Sequence, residues 1–364
     1  MAVREFVEHD IPQVTSLYWN YMRSGRGPVP RGLEPLFREL YFANPWVDRS
    51  SPSFVYENKS GEIMGFLGVT RRPIRVCDQP MRVAYGGNFV VHPEARHGVA
   101  APRLLDAYLS GNHDLWLTDS ANDITRHLLE RLGFRTIPAL NIHWVWPLKP
   151  SHFAVHALSR SAGPVVSAAA KFAAKPFCVV ADSLASRIPR SPFRLVRSPL
   201  RGSELDVNTL LRCFAEFRKN YSLWTEYDAD SLRWLLSFME RRTKRGVLRK
   251  IALRDAAGQI VGSYIYYVKR GGVGEVVQVG GQPKCMKTIL DHLAWDAVEQ
   301  GVVALHGVVN FQRMPDFSEK GCLFTCRGGW TIARSTSSEA LKVLERGDAF
   351  LSRLDGEWSL DPGD

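Results

Sequence analysis

The run Val91-His92-Pro93-Glu94-Ala95-Arg96-His97-Gly98-Val99-Ala100-Ala101-Pro102 decides how the rest of the chain is read. Before it, Asn88 to Val91 is an apolar strand end. After it, Ala101, Leu104, Leu105, Tyr108 and Leu109 recur at the offsets of one buried helical stripe. A strand that ends in a loop and opens a helix leaves first-turn N–H groups without intrahelical partners. The helix dipole adds partial positive charge there, so the junction suits an anion. Gly98, Ala100 and Ala101 are small enough for close backbone approach, and Arg96 supplies a cation. Pro102 fits the first helical turn, where its missing N–H costs little.

On the C-terminal side, a strand at Leu115 to Thr118 precedes Asn122 and a helix from Asp123 to Leu132. Gly133 then supplies a left-handed helix stop. On the N-terminal side stand a strand (Val3 to Val7), a helix (Ile11 to Met22), a helical patch (Leu36 to Phe42) and two strands flanking Asn58 to Gly61. The same order then returns. It runs through a strand near Phe193 to Val196, a helix at Val207 to Phe217, a patch at Leu232 to Glu240 and strands flanking Asp255 to Gly258. A strand at Glu275 to Val279, a loop at Gly280 to Lys287, a helix bearing Ile289, Leu290, Leu293, Ala294, Ala297 and Val298, and a strand at Val302 to Leu305 complete it. Ile63-Met64-Gly65 and Ile260-Val261-Gly262 open corresponding strands, which points to an internal repeat. A chain of 364 residues has room for two such domains. The apolar residues of the tail Leu341 to Asp364 are expected to pack on the second domain.

The stretch Gly86 to Phe134 resembles the core of the GNAT (GCN5-related N-acetyltransferase) family. The resemblance rests on Val91-His92-Pro93-Glu94, on Arg96 with Ala101 at the sixth loop position, on Asn122, and on Leu132-Gly133-Phe134. It extends weakly to Val3 to Met22. It implies an α/β chain of two GNAT-like domains in tandem, each a mixed, mostly antiparallel central sheet flanked by helices. The boundaries expected are 1–147 for a donor-binding domain, 148–192 for a basic, partly helical connector, and 193–364 for a second domain with a C-terminal extension. The implied reaction moves an acyl group from acetyl-CoA or another acyl-CoA, or from an acyl carrier protein, to an amine or hydroxyl of a small-molecule acceptor. The resemblance places the donor along Phe89, Val90 and Val91, on Arg96, His97, Gly98, Val99, Ala100 and Ala101, and near Asn122. Asp119, at the end of a strand facing that region, is the acid/base candidate. Asn122 also reads as a helix N-cap before Asp123.

Three departures qualify the match. Position 99 is Val where the family has Gly, and Pro102 removes an N–H. Leu129 stands where the family often places a tyrosine that protonates the departing thiolate. The second half shares the order of elements but not the motif, its loop being Gly280-Gly281-Gln282-Pro283-Lys284-Cys285-Met286-Lys287. Transferases of the FemAB type, which use aminoacyl-tRNA, share this layout, and a non-catalytic CoA-binding protein on a degenerate scaffold is the third reading. Tyr266 and Tyr267 alternate along one strand of that half, so one faces away from the other; each is either an acceptor-pocket residue or ordinary strand packing.

The formal charge is +10, which favours anionic partners. Nine Lys/Arg and one acid, Asp182, lie between Lys149 and Arg201. That stretch reads as a solvated linker or as a docking face for an acidic acyl carrier protein. Only four phenylalanines accompany it, which disfavours the base stacking of nucleic-acid binding. The six cysteines form no CxxC pair, as expected of reduced thiols in a chain without a metal site. The N-terminal residues do not read as a secretory signal, and no apolar run spans a bilayer, so a cytoplasmic protein is expected.

Overall fold

Two long apolar strands form the spine of the first half. They pair antiparallel across Cys77 and Asp78, both at positive φ (47° and 62°), as a tight hairpin turn with the twist of its strands demands. The computed structural model describes residues 2–48, 50–159, 177–184, 187–188, 191, 193–326 and 329–362. The chain folds into two units: Met1–Pro138 with Ser222–Phe238 and Gly328–Asp364, and Ala139–Tyr221 with Met239–Arg327.

In the first unit the strands are β1 (Ala2–Glu5), β2 (Phe54–Glu57), β3 (Ile63–Val76), β4 (Gln79–Val91), β5 (Leu115–Ala121) and β6 (Arg135–Thr136). The sheet runs β1-β2-β3-β4-β5, then the strand Trp330–Ser335, then β6. Leu223–Thr225 pairs with the far end of β3 and with Ala349–Phe350. Of these pairings, β4 with β5 is parallel, as is Leu223–Thr225 with Ala349–Phe350. Helices α1 (Ile11–Leu17) and α2 (Leu33–Phe42) contribute Ile11, Val14 and Phe37 to a core with Phe6, Phe66 and Val90. Helices α3 (Ala100–Leu109) and α4 (Asp123–Arg131) contribute Leu104, Leu105, Tyr108 and Leu129 to a second core with Leu67, Trp116 and Phe134.

The second unit repeats the plan. Its sheet runs Leu323–Thr325, β7 (His143–Pro147), Ala304–Val308, Val273–Gly281, Ile260–Val268, Val247–Arg254 and Arg201–Glu204. Val273–Gly281 pairs parallel with Ala304–Val308, the counterpart of β4 with β5. The chain is therefore two mixed α/β sheets, each flanked by helices, as the repeat implied.

The units are not consecutive stretches, and this corrects three expectations. The boundaries 1–147, 148–192 and 193–364 cut across the units, because β7 pairs with Ala304–Val308 in the second sheet. In exchange, Trp330–Ser335 fills the place between β5 and β6 in the first. The tail belongs to the first unit, where Leu344, Phe350 and Leu354 are buried, and not to the second. Phe193 to Val196 is not a strand; Arg201–Glu204 pairs with Val247–Arg254 instead. In the connector, Pro150–Ser159 and residues 177–184 are helical, while the Ala-rich piece Ser167 to Ala174 lies outside the described residues. Among the described residues no helix is long and apolar enough to cross a membrane.

Candidate functional site

Pairing between β4 and β5 stops at Tyr85/Leu117, although β4 continues to Val91 and β5 to Ala121. A bulge in β4 opens the gap. Its register against β3 shifts, so that Val90 faces Phe66 and Gly87 faces Gly68, with Asn88 and Phe89 sharing the space between. Asn88 takes φ 50°, rare outside Gly but most readily borne by Asn. Its Nδ2 donates to the Tyr41 hydroxyl at 2.7 Å, and Gly68 leaves room for that ring, since a Cβ there would stand 2.2 Å from the Tyr41 hydroxyl.

The splayed strands enclose a cleft of about 550 Å³, counting open solvent at its mouth, walled by Gly86, Phe89, Leu105, Tyr108, Asn122 and Leu129 among others. A second cavity of about 700 Å³, counted the same way, is walled by Arg23, Tyr41, Thr70, Tyr85, Trp358 and Asp361. The two share Met22, Gly87, Asn88, Ser120 and Glu357.

Glu357 arrives at this junction from the tail. Its Oε2 accepts from Thr118 Oγ1 (2.7 Å), the Asp119 N–H (3.1 Å) and Ser120 Oγ (3.0 Å). Its Oε1 lies against Gly87, where any Cβ would be 1.7 Å away. Asp119 Oδ1 in turn accepts the Glu357 N–H at 3.1 Å. Burial pushes both carboxyls above their ordinary range, and for Glu357 the Asp119 charge adds to the rise. Neither forms an ion pair among the described residues. Asp119 lines neither cavity, whereas Glu357 lines both.

The loop residues fall beside the cleft. His92 accepts the Glu94 N–H on Nδ1 (3.3 Å) and bonds the Tyr21 hydroxyl through Nε2 (2.9 Å), so it holds the turn. Arg96 Nε donates to the Val91 carbonyl at 3.2 Å. Arg96, His97, Gly98 and Val99 are exposed, and α3 begins at Ala100. Among the described residues the N–H groups of Val99, Ala100 and Ala101 have no backbone acceptor, leaving a helix N-terminus open to an anion. Phe89 lines the cleft, while the Val90 side chain is buried in the opposite core. Asn122 caps α4 by accepting the Thr125 N–H (2.9 Å) and also lines the cleft, so the cap leaves it in the cleft wall. Leu129 forms cleft wall, with no hydroxyl to offer.

Tyr266 and Tyr267 are fully buried. One donates to Asp296 (2.7 Å) and the other to the Met239 carbonyl (2.8 Å), the strand-packing alternative. Reading the sequence does not single out Gly87, Asn88, Tyr41 or Glu357. The Gly86-Gly87-Asn88 run, with two glycines in an apolar strand, is a signal of a bulge or close approach. Glu357 carries no local signal at all. Among the described residues no group of three or more His, Cys, Asp or Glu could hold a metal ion.

The model of the acetyltransferase (GNAT) family matches residues 11–134, the stretch that holds α1 through Phe134. Comparison with curated proteins gives no match. Solved structures of similar fold include a conserved protein of unknown function from Enterococcus faecalis V583, described as a probable N-acyltransferase, with TM-score 0.61 and 11% identity over 95% of this chain and 73% of that one. A GCN5-related N-acetyltransferase from Anabaena variabilis has TM-score 0.62 and 9% identity over 94% and 74%. N-myristoyltransferase of Saccharomyces cerevisiae, solved with bound myristoyl-CoA and inhibitors, has TM-score 0.54 and 9% identity over 91% and 79%. At these identities the likeness is one of fold.

Proposed function

We propose, for a chain whose residues 11–134 form a GNAT-family domain, that it transfers an acyl group from acyl-CoA to an amine, with Glu357 as the base. The observation that carries this reading is the meeting of two cavities at Gly87, Asn88, Ser120 and Glu357. The donor thioester would reach the junction through the splayed cleft, and the acceptor through the other cavity. The unpaired N–H groups at Val99 to Ala101 and the Arg96 guanidinium suit the CoA pyrophosphate. Phe89, Leu105 and Leu129 suit its apolar arm and acyl chain.

The amine nitrogen attacks the thioester carbonyl, the carbon–sulfur bond breaks, and CoA leaves as the thiolate. Glu357 takes the proton that the nitrogen loses. A carboxylate raised toward neutrality is a better base than an ordinary one. Asp119 acts through Glu357: it holds the Glu357 backbone and raises its side chain's proton affinity, so it is a positioning residue. An amine fits this junction better than a hydroxyl, because its ammonium form is drawn to two carboxyls that make no ion pair among the described residues.

Calorimetric titration with acetyl-CoA and longer acyl-CoAs tests the donor side, with Arg96→Glu as the control. Saturable binding that the variant weakens supports the reading. If no acyl-CoA binds, the donor is not CoA-borne, and carrier-bound or tRNA-bound donors take its place.

A further inference from the structure

The helix over 177–184 wears its apolar side outward. Phe177, Val180, Ala181 and Leu184 lie at offsets 0, 3, 4 and 7, which is one stripe of a helix. Phe177 is 77% exposed, Val180 60% and Leu184 58%. The inward side holds the polar residue: Asp182 Oδ1 accepts the Ser151 N–H at 2.7 Å, and Oδ2 meets His152 Nδ1 at 2.6 Å. Cys178, one turn earlier, is buried. A surface helix normally shows the reverse arrangement, and single exposed apolar residues need no explanation while a stripe does. Among the described residues Leu158 on the helix Pro150–Ser159, Ile188 and Val196 are exposed apolar residues too, at 76%, 57% and 56%.

Charge says what would cover it. Arg187, Arg194 and Arg197 are exposed and alternate with Ile188 and Val196, and none forms an ion pair among the described residues. The single acid of the stretch from Lys149 to Arg201, Asp182, is held by Ser151 and His152. An acidic protein would account for the arginines but not for an aromatic and several aliphatic side chains kept in water. A surface that is apolar beneath and anionic above accounts for both.

We propose that this face docks on an anionic lipid surface, with Phe177, Val180 and Leu184 entering the boundary between headgroups and acyl chains and the arginines on lipid phosphates. The proposal is independent of the acyl-transfer reading. The full chain is sedimented with vesicles of phosphatidylcholine alone and with added phosphatidylglycerol. Binding is expected only to the anionic vesicles, falling about tenfold or more at high salt. Val180→Asp with Leu184→Asp is expected to weaken it at least about tenfold with the helical circular dichroism unchanged. Phe177→Trp supplies a direct readout, its emission shifting to the blue when anionic vesicles are added. No binding to anionic vesicles, or no blue shift, overturns the proposal. Binding indifferent to the double aspartate variant, or a dimer in solution that this variant dissolves, overturns it too.

Discussion

Asp119 and Glu357 each accept the other's backbone N–H, both at 3.1 Å, so a strand end and a distant tail segment are clasped by a reciprocal pair of carboxyl contacts. Two acids are thereby held close in a half-buried place, and the tail is fixed where the two cavities meet. Glu357 lines both cavities and Asp119 lines neither, so in the proposed reaction Glu357 is the reacting group and Asp119 its support.

Glu357→Gln keeps an oxygen able to accept from Thr118, Ser120 and the Asp119 N–H but cannot take a proton. Turnover is expected to fall roughly 10²–10⁴-fold, with acyl-CoA affinity and thermal stability little changed. Steady-state kinetics beside a calorimetric titration checks this. Turnover within about threefold of wild type would remove Glu357 from the chemistry.

Acidity gives a second handle. Both carboxyls sit above their ordinary range in the folded protein, while in the unfolded chain they ionise near about 3.9 and 4.3. Between the unfolded and folded values the folded state binds more protons, so this pair's contribution to stability is present at low pH and lost as pH rises through that window. Glu357→Gln is expected to lose part of that slope. Urea unfolding across the window should show the variant gaining on wild type as pH rises. The rising limb of the rate profile should also lie above the ordinary carboxylate range and flatten in the variant.

Gly87→Ala places a methyl where Glu357 Oε1 now lies, 1.7 Å from it. The obstructing atom is the end of a side chain, so the carboxyl moves and the fold persists. Turnover is expected to drop at least about tenfold at an unfolding midpoint close to wild type. Wild-type turnover in this variant would show that the observed seat of Glu357 is immaterial.

Asn122 has two tasks that can be split. Asn122→Ala is expected to cost about 1 kcal/mol of stability through the lost cap on α4. Asn122→Ser restores the cap. If acyl-CoA affinity returns together with stability, the residue is a cap alone; if it stays weak, the amide also touches the donor.

A fragment of residues 1–147 is expected not to fold. It lacks Trp330–Ser335, which pairs with both β5 and β6, and it keeps β7, whose partner strands it does not contain. An unpaired central edge and an orphan strand favour aggregation. A dispersed, monomeric spectrum from that fragment would contradict the exchange.

Local order is well marked in the sequence and long-range order is not. The helix at Val207 to Phe217 is legible because its apolar stripe carries the helical period and Asp206 caps it. Gly133 is legible because a left-handed residue (φ 84°) follows the helix. Arg201–Glu204 is illegible because all four residues of this edge strand are exposed, so no alternation marks it. The exchange of β7 for Trp330–Ser335 is illegible because each is a short strand whose partner depends on distant chain. The loop residues of the cleft follow from a local pattern; Glu357, brought in by tertiary packing, does not.

That exchange also orders events in time. As the polypeptide leaves the ribosome, β5 waits beside an empty slot until residue 335 has emerged, and the junction has no Glu357 until after that. At about 5–20 residues per second, the interval between the release of Pro138 and that of Glu357 is roughly ten to forty seconds. Throughout it the nascent first unit has an open sheet and an unfinished junction, so the clasp between Asp119 and Glu357 closes only when synthesis of this stretch is nearly done.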